Sequence, residues 1–456
     1  MQYPINIALD GELSAEQAQS IAVRTQAILD LREPKSLHTF HVKPEALFGN
    51  GTDDRTLTVR LSTDASTKSP LTSLRTWESI LDVKSATLDS AADDSLANLI
   101  AQEVQHIFHD EQASVAYLLH GSSHGSTGLV GAVSTEQARA LERRTTRAFK
   151  YASTYHLTFS LFAASATPSA WDIEEALGRY IEPLIRPLSA VSDFTIDTQV
   201  QLFASFSPSI AGPQFDSETN AWKLLQSDLS GFINAAEWPL SPSIGSGPTV
   251  NMVAYVPGPN QRPLHLENGG NSWIIPQWGG VQIFNPSEHQ AEHLNAKDLE
   301  PIMLTFADQL MSLLGVPNSP SSLSMRISSL KRERATSLIL SASSTLGALV
   351  RLTRKLESIA IPSTVAISVD ETISHLEQAC EGLRGGCFQA ALEHARVAEA
   401  EAEKAFFEPS MVGQVYFPDE HKVAVYVPLL GPMAVPLVMS ALKELKGLRR
   451  GKVKTS

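Results

Sequence analysis

The stretch YHLTFSLF at residues 155–162 decides the fold class, because this largely apolar run has the length and composition of a buried strand. A helix is predicted to follow from Trp171 to about Leu188, since acidic residues fill its first turn, where the helix dipole favours them. DFTIDTQVQLFA (193–204) and TVNMVAYVP (249–257) are predicted strands, and SWIIPQWGGVQIF (272–284) is predicted to form two more around a Trp-Gly-Gly bend. Strands that alternate with long helices predict a layered mixed α/β fold.

The same alternation extends upstream, whereas the chain turns helical downstream. Short strands are predicted at 5–9 and 56–61, and a helix is predicted to begin at Ser134. From about residue 299 apolar residues recur at helical spacing, and two helices that meet at Gly385-Gly386 predict an αα-hairpin.

These patterns predict an α/β body over residues 1–330 and a helical segment with the αα-hairpin over residues 331–415. The serine-rich stretch at 319–329 is interpreted as a surface linker. The body is typical of globular protein, since 43% of all residues are hydrophobic and 19% are charged.

Residues 423–442 read VAVYVPLLGPMAVPLVMSAL, a segment of 20 residues without a charge. At about 1.5 Å per residue it matches a hydrocarbon core of roughly 30 Å, so it is predicted to be a transmembrane helix. Pro428, Pro432 and Pro436 argue against a buried globular helix, because prolines are better tolerated in membrane helices. Recurring every four residues beside Gly431, they also predict one helical face for contact with another membrane helix.

Residues 443–456 form a basic tail with six Lys or Arg residues and one acid, hence 6 − 1 = +5. The whole chain carries −13, so residues 1–442 carry −13 − 5 = −18. Because basic residues beside a span stay on the cytoplasmic side, the tail is predicted to be cytosolic and the acidic body lumenal. The acidic body has no evident basic face, so nucleic acid is not expected as a partner, while membrane lipid is.

Three features concern the processing of the chain. Translocation of so large a body needs an N-terminal signal or span, and the sequence from Met1 carries neither, so the true start is expected upstream. The alternative is targeting by the C-terminal anchor. Cys380 and Cys387 exclude a disulfide scaffold but leave two interpretations, a bridge that staples the hairpin or free thiols. Asn50 begins an Asn-Gly-Thr sequon and is a glycosylation candidate.

The residues His289, Glu292 and His293 match the H-x-x-E-H pattern of inverted zinc peptidases. That chemistry places both imidazoles on one helical face with the carboxylate as general base. The pattern lies in a polar stretch without an apolar helical stripe, so a solvated loop is the favoured interpretation. His106 and His109, one helical turn apart, are interpreted as surface residues rather than as a metal pair.

Trp278 in the Trp-Gly-Gly bend is either an aromatic platform for a sugar or, the favoured interpretation, a side chain that packs over a tight strand connection. The sequence contains no nucleophile elbow, phosphate-cradling glycine loop or dinucleotide fingerprint. No catalytic residue, metal or cofactor is therefore expected.

Four blocks of the sequence resemble the PIG-S family of subunits of the glycosylphosphatidylinositol (GPI) transamidase. They are YHLTFSLF…WDIEEALGRYIEPL (155–184), NSWIIPQWGGVQIFNP (271–286), AEKAFFEPSM (402–411) and YFPDEHKVAVYVPLLGPMAVPLVMSALK (416–443). The resemblance implies a lumenal α/β body anchored in the endoplasmic reticulum membrane. It implies a non-catalytic subunit that assembles and stabilises the enzyme, with a share in substrate engagement. It also implies that the nucleophilic cysteine lies in the caspase-like subunit PIG-K, with PIG-T, PIG-U and the Gaa-type aminopeptidase-like subunit as further partners.

Three departures limit what the resemblance carries over. The family's N-terminal span is missing here, and Asp193-Phe194-Thr195 stands where animal members have an Asn-Phe-Ser sequon. The H-x-x-E-H stretch and both cysteines have no counterparts in the family. Two alternatives remain open, a membrane-anchored metallohydrolase that uses His289, Glu292 and His293, and a lumenal glycan-binding module built around Trp278.

Overall fold

The structure is a computed structural model that divides into two units. It describes residues 3–11, 13–32, 36–45, 55–66, 69–88, 93–122, 134–207, 210–229, 247–287, 292–355, 361–411 and 419–451. One unit comprises residues 1–337 with 380–392, and the other comprises residues 338–379 with 393–456.

Strands and helices alternate as far as α6, and the chain is helical beyond it. The strands are β1 (Tyr3–Gly11), β2 (His38–Pro44), β3 (Thr56–Thr63), β4 (Leu71–Leu74), β5 (Ile80–Ser85), β6 (Thr154–Ala163), β7 (Ala170–Trp171), β8 (Asp193–Leu202), β9 (Gln214–Asp216), β10 (Ala221–Leu224), β11 (Thr249–Val256), β12 (Leu264–Leu266), β13 (Ser272–Ile275), β14 (Gly279–Ile283) and β15 (His293–Leu294). The helices are α1 (Ala15–Arg32), α2 (Asp93–Ser122), α3 (Thr135–Arg147), α4 (Ile173–Ala176), α5 (Glu182–Leu188), α6 (Glu300–Leu313), α7 (Leu323–Lys355), α8 (Ser363–Gly385), α9 (Phe388–Phe406) and α10 (Asp419–Gly451). A π-helical turn over Leu177–Ile181 joins α4 to α5, which confirms the helix predicted after Trp171.

The strand predicted at 155–162 forms β6, which lies within a five-stranded sheet of order β13-β14-β11-β6-β8. In this sheet β14, β11, β6 and β8 run parallel, and β13 is antiparallel at one edge. Nearly every residue of β6, β11 and β14 is buried, as expected for strands that are covered on both faces. Phe159 of β6 packs against Phe306 of α6, with ring centroids 6.0 Å apart. The layered α/β prediction is confirmed.

Strand β8 is the last described strand at the other edge of this sheet. It pairs with β6 along all ten of its residues, and none of those ten side chains is buried. Ile196 and Val200 are 42% and 39% exposed. The sheet therefore presents a long edge strand with apolar side chains in contact with solvent.

A second five-stranded sheet of order β2-β1-β3-β5-β4 contains the strands predicted at 5–9 and 56–61. Its strands run parallel except for β4. Alternate residues of β3 are buried, namely Leu57, Val59 and Leu61, so the strand turns one face to the core. Helix α1 packs against both α2 and β2.

Two smaller sheets were not predicted. The first has the order β12-β10-β9, and the second pairs β15 with β7. Leu224, Leu264 and Leu266 of the first pack into a hydrophobic cluster with Tyr255 and Val281 of the large sheet around β6. These strands are only two to four residues long, too short to show a periodic pattern in sequence.

The prediction of a surface linker at 319–329 is wrong, because α7 begins at Leu323 and several of these serines are buried. The hydroxyl of Ser322 donates to the carbonyl of Glu78 at 2.8 Å. Ser322, Ser328 and Ser329 are all buried. The small serine side chains allow the start of this helix to pack closely against its neighbours.

The predicted αα-hairpin is confirmed by α8 and α9, which meet at a glycine turn. Gly386 has φ of +76°, a conformation that glycine adopts without strain and that ends helices. The N–H of Cys387 donates to the carbonyl of Gly382 at 2.8 Å. A Cβ at Gly382 would lie 3.0 Å from that of Ala391, so glycine permits the close approach of the two helices.

In the helical unit, α7 packs against the hairpin through small and apolar side chains. Ala342 of α7 lies in one cluster with Ala398 and Ala402 of α9. Leu349 lies in another with Val365 and Met411.

Within the described residues, one helix is long and apolar enough to cross a membrane, and it is α7, with a mean hydropathy of 1.3 over its most apolar window. The contacts of Ala342 and Leu349 with the hairpin and with Met411 account for apolar side chains on α7. The span predicted at 423–442 lies within α10, and the side chains of 423–425 and 429 are outside the described ones.

Candidate functional site

The H-x-x-E-H stretch does not form a helix at its described residues. His293 begins β15, which pairs with Ala170 and Trp171, and its Nε2 lies 2.9 Å from Oδ1 of Asp172. An extended backbone points neighbouring side chains in opposite directions, whereas a zinc peptidase helix places its ligands on one face. His289 lies outside the described residues. Glu292 and His293 are thus not helical, and the helix that the metallohydrolase alternative requires is absent from these two positions.

His106 and His109 are both exposed on α2. The Nε2 atom of His109 lies 3.1 Å from the amide nitrogen of Gln137 on α3. That hydrogen bond links two surface helices, so it fits the interpretation of these histidines as surface residues.

Cys380 is half-buried, Cys387 is exposed, and both are free thiols in the structure. The bridge between them therefore stays a prediction, as does glycosylation of Asn50, which lies outside the described residues.

Trp278 packs over a tight connection between β13 and β14. Gln277 before it has φ of +55°, and the carbonyl of Trp278 accepts the N–H of Asn251 at 3.0 Å. The half-buried indole packs against the hydrophobic cluster that contains Tyr255 and Val281. These contacts agree with a structural role for Trp278.

On α10 the predicted contact face of Pro428, Pro432 and Pro436 is exposed, and Gly431 is half-buried. A Cβ at Gly431 would meet no atom within 4 Å. The described apolar side chains of this helix are exposed as well, from Tyr426 to Leu445. Whether this face binds another helix stays a prediction.

Sequence patterns did not reveal a buried ionic centre in the larger unit. Nε and Nη2 of Arg332 on α7 donate to the two carboxylate oxygens of Glu111 on α2, at 2.5 and 2.7 Å. Nε2 of His38 on β2 lies 3.2 Å from the same carboxylate and therefore donates to it. The Arg332 guanidinium also lies over the ring of Phe388, 4.9 Å from its centroid. This centre joins a strand and three helices that are distant in sequence.

The electrostatics of this centre follow from its burial. Loss of hydration alone would raise the pKa of the Glu111 carboxyl, but Arg332 and then His38 outweigh it and hold that pKa well below its usual range. Burial raises the pKa of Tyr3 to about 12. The Thr336 hydroxyl donates to the carbonyl of Arg332, so the Tyr3 hydroxyl is the donor in its 2.6 Å bond to Thr336. Because Arg332 and His38 both pair with the buried Glu111 carboxylate, this centre stabilises the fold.

A second ion pair lies between this centre and the surface, because Glu333 is buried and Arg144 is half-buried. Nη2 of Arg144 on α3 donates to Oε2 of Glu333 at 2.5 Å. Burial raises the pKa of Glu333, partly offset by Arg144. Nη2 of Arg334 donates to the carbonyl of Leu314 at 2.8 Å, and burial lowers its pKa.

Beside Arg144 lies a cleft of about 300 Å³, called here the arginine cleft. Its walls come from α2, α3, the end of α6 and residues 316–319, and its charged lining residues are Asp110, Arg143, Arg144 and Arg147. Nη1 of Arg147 donates to the Ser312 hydroxyl at 2.9 Å. The sequence signal that could have revealed this cleft is the Glu-Arg-Arg-x-x-Arg run at 142–147, which places three arginines within about one turn of the predicted helix.

The structure defines a class of mixed α/β protein with two parallel-rich sheets, a buried ionic centre and a helical C-terminal region, and such an architecture does not by itself specify a function. The family comes from the sequence comparison: residues 1–451 match the model of PIG-S, the phosphatidylinositol-glycan biosynthesis class S protein. The chain belongs to the PIG-S family, which confirms the resemblance.

Relatives from animals and fungi share about a third of their aligned residues with the chain. The GPI-anchor transamidase component PIGS of Rattus norvegicus is 31% identical over 326 residues, which cover 65% of this chain and 58% of the rat protein. The GPI transamidase component PIG-S homolog of Schizosaccharomyces pombe is 33% identical over 328 residues, covering 69% and 57%. The GPI transamidase component GPI17 of Saccharomyces cerevisiae is 30% identical, covering 66% and 59%. The matched part therefore spans less than two thirds of the length of these relatives.

Proposed function

We propose that this chain is a non-catalytic component of the GPI transamidase of the endoplasmic reticulum. The observation that carries the proposal is the match to the PIG-S family over residues 1–451, together with relatives that are named components of this enzyme. In this role the chain assembles and stabilises the complex that attaches GPI anchors to precursor proteins, and takes part in substrate engagement. Its partners are PIG-K, PIG-T, PIG-U and the Gaa-type subunit.

Two features support a role outside the chemical step. The group with the most strongly lowered pKa among the described carboxyls, Glu111, is paired with Arg332 and sealed in the core. General acids and bases instead need an open site and a pKa near the working pH. The nucleophile is assigned to PIG-K, and the cysteines here are assigned no part in the reaction.

Residues 423–442 act as the membrane anchor, with the body in the lumen and the tail at 443–456 in the cytosol. The exposed apolar side chains of α10 and the charge difference between body and tail support this arrangement.

Purification of the tagged full-length chain in mild detergent tests its membership of the complex. We expect mass spectrometry to identify the other transamidase subunits with it, and an unrelated membrane protein with the same tag serves as the control. Recovery of the chain alone, under conditions that keep other membrane complexes intact, would contradict the proposal.

A variant with Cys380→Ser, Cys387→Ser and His293→Ala tests the non-catalytic role. In cells that lack the natural subunit, this variant is expected to restore surface display of a GPI-anchored reporter as fully as the unchanged chain. Complex that assembles normally but no longer attaches the anchor would overturn the assignment.

A further inference from the structure

The arginine cleft carries a charge opposite in sign to the net charge of the chain. Its lining holds three arginines and one aspartate, hence 3 − 1 = +2, in a protein that carries −13 overall. A positive cleft on an acidic protein concentrates small anions locally, because the walls focus the field.

Arg144 pairs with buried Glu333, but burial in a core does not account for Arg143 and Arg147. Helix α3 has no buried residue, so its side chains are not selected to fill a core. Arg143 and Arg147 lie one helical turn apart, and Arg144 lies between them on the cleft side. Arg143 is exposed and has no ion-pair partner among the described residues, so its charge is available to a ligand.

The cleft is held in shape without a ligand. Ser134 and Gln137 form a capping box that fixes the start of α3. At the other end the carbonyl of Arg147 accepts the N–H of Gln277 at 3.1 Å. The guanidinium of Arg147 is oriented by its hydrogen bond to Ser312. Glu333 orients Arg144 in the same way. Preorganised side chains lose little conformational freedom when a ligand binds, so more of the contact energy appears as affinity.

We propose that the arginine cleft binds a phosphate ester. Guanidinium groups match the oxygens of phosphate with paired hydrogen bonds, and three of them suit a tetrahedral anion better than a planar carboxylate. Asp110 supplies an acceptor for a hydroxyl or ammonium group on the esterified alcohol. A volume of about 300 Å³ accommodates a phosphate with a short alcohol attached. This assignment does not rest on membership of the transamidase.

Isothermal titration of the purified full-length chain in mild detergent tests the site with two probes, inorganic phosphate and phosphoethanolamine. We expect saturable binding of phosphoethanolamine, weakened at least about tenfold in the double variant Arg143→Ala, Arg147→Ala, since each arginine contributes charge-assisted hydrogen bonds. The matched control is Arg139→Ala, an exposed arginine of the same helix that does not line the cleft, and it should bind as the unchanged chain does. A second variant, Arg143→Lys with Arg147→Lys, keeps the charge, loses the paired geometry and should bind with intermediate affinity.

Three results would overturn the proposal. They are an absence of saturation by the unchanged chain, equal binding by the double alanine variant with unchanged thermal melting, and equal weakening by Arg139→Ala. Titration in nanodiscs of phosphatidylcholine with and without phosphatidylinositol separates the two sources of the ester. Weaker phosphoethanolamine binding in the phosphatidylinositol discs assigns the cleft to a lipid headgroup, and unchanged binding assigns it to a soluble ester, so both support the site.

Discussion

Arg332 shows how a single residue connects distant parts of this protein. It is 2% exposed, and a buried guanidinium is tolerated only when its charge and its donors are matched. Glu111 supplies both, and Phe388 offers the face of its ring. The arrangement fixes how α2, α7 and α9 meet in the larger unit, because the pair and the ring contact require these three helices to lie together.

Replacement of Arg332 by methionine should lower the free energy of unfolding by about 3–5 kcal/mol, because the Glu111 carboxylate is left buried without its counter-charge. Denaturant titration measures this loss. The double variant Arg332→Met, Glu111→Gln should recover part of it, since position 111 then no longer holds a buried carboxylate without its counter-charge. A single variant as stable as the unchanged chain would show that the pair does not hold the core.

Replacement of Tyr3 by phenylalanine should change stability at alkaline pH. The pKa of Tyr3 is raised from 10.0 to about 12 on folding, so its contribution is fully present below pH 10 and is lost as the pH rises towards 12. Complete loss of this contribution would lower the free energy of unfolding by about 2–3 kcal/mol. Between pH 9 and 11, about one unit on either side of the ordinary tyrosine pKa of 10.0, the melting temperature of the variant should fall less steeply than that of the unchanged chain. Its melting temperature at neutral pH should fall slightly, because the bond to Thr336 is lost.

The sequence could not predict these residue contacts. Glu111 and Arg332 lie 221 positions apart, and each belongs to a helix that also carries exposed charges. Periodicity predicts which face of a helix is apolar, but it does not predict that a charged residue turns inward to a distant partner. The helix start at Ser134 was predictable, because its cap forms within four residues.

Among the elements, β14 is the strand whose sequence is most constrained by its neighbours. A Cβ at Gly280 would clash with the side-chain oxygen of Gln309 on α6. A Cβ at Gly279 would clash with the backbone carbonyl of Asn251 on β11. The first clash involves a side chain that can be shortened, whereas the second involves the backbone of the sheet.

Gly280→Ala should therefore destabilise the protein by about 1–3 kcal/mol, and combination with Gln309→Ala should relieve part of this loss. Gly279→Ala is the matched comparison, and Gln309→Ala should not relieve it. Denaturant unfolding of the single and double variants measures the coupling. Equal coupling at both glycines would contradict the packing described here.

Helix α10 is predicted to bind another membrane helix through Pro428, Gly431, Pro432 and Pro436. Replacement of residues 423–442 by an unrelated apolar span of equal length should leave the chain in the membrane fraction but weaken its recovery of other subunits. Quantitative co-purification measures the change. Unchanged recovery of the other subunits would show that this segment serves only as an anchor.

Elements defined by local pattern were the predictable ones. The strands at 5–9 and 155–162 and the hairpin at Gly385-Gly386 were found because apolar spacing and glycine turns act over few residues. The serine-rich start of α7 was missed, because burial of Ser322 depends on its bond to Glu78, 244 positions away. Strand order was out of reach for the same reason, since parallel neighbours are joined by long crossovers.

At the scale of the whole molecule, charge separates the body from the tail, −18 against +5 by the counts above. In sealed microsomes an epitope at the end of the tail should be removed by added protease, while the body should stay protected until detergent is added. An epitope on a lumenal resident protein serves as the control for sealing. Protection of the tail together with cleavage of the body would reverse the proposed orientation.

The exposed strand β8 has a consequence for anyone who produces the body by itself. Every second residue of an edge strand directs its peptide N–H and C=O away from the sheet. Half of the 10 residues of β8 therefore offer a template on which another copy can stack. Asp193 and Asp197 are the charges that this strand sets against such stacking. The solubility of the isolated body is therefore expected to fall at high ionic strength, which screens the repulsion between these aspartates and those of another copy. A lysine in place of Ile196 is a simple safeguard against fibrous or amorphous aggregates during purification.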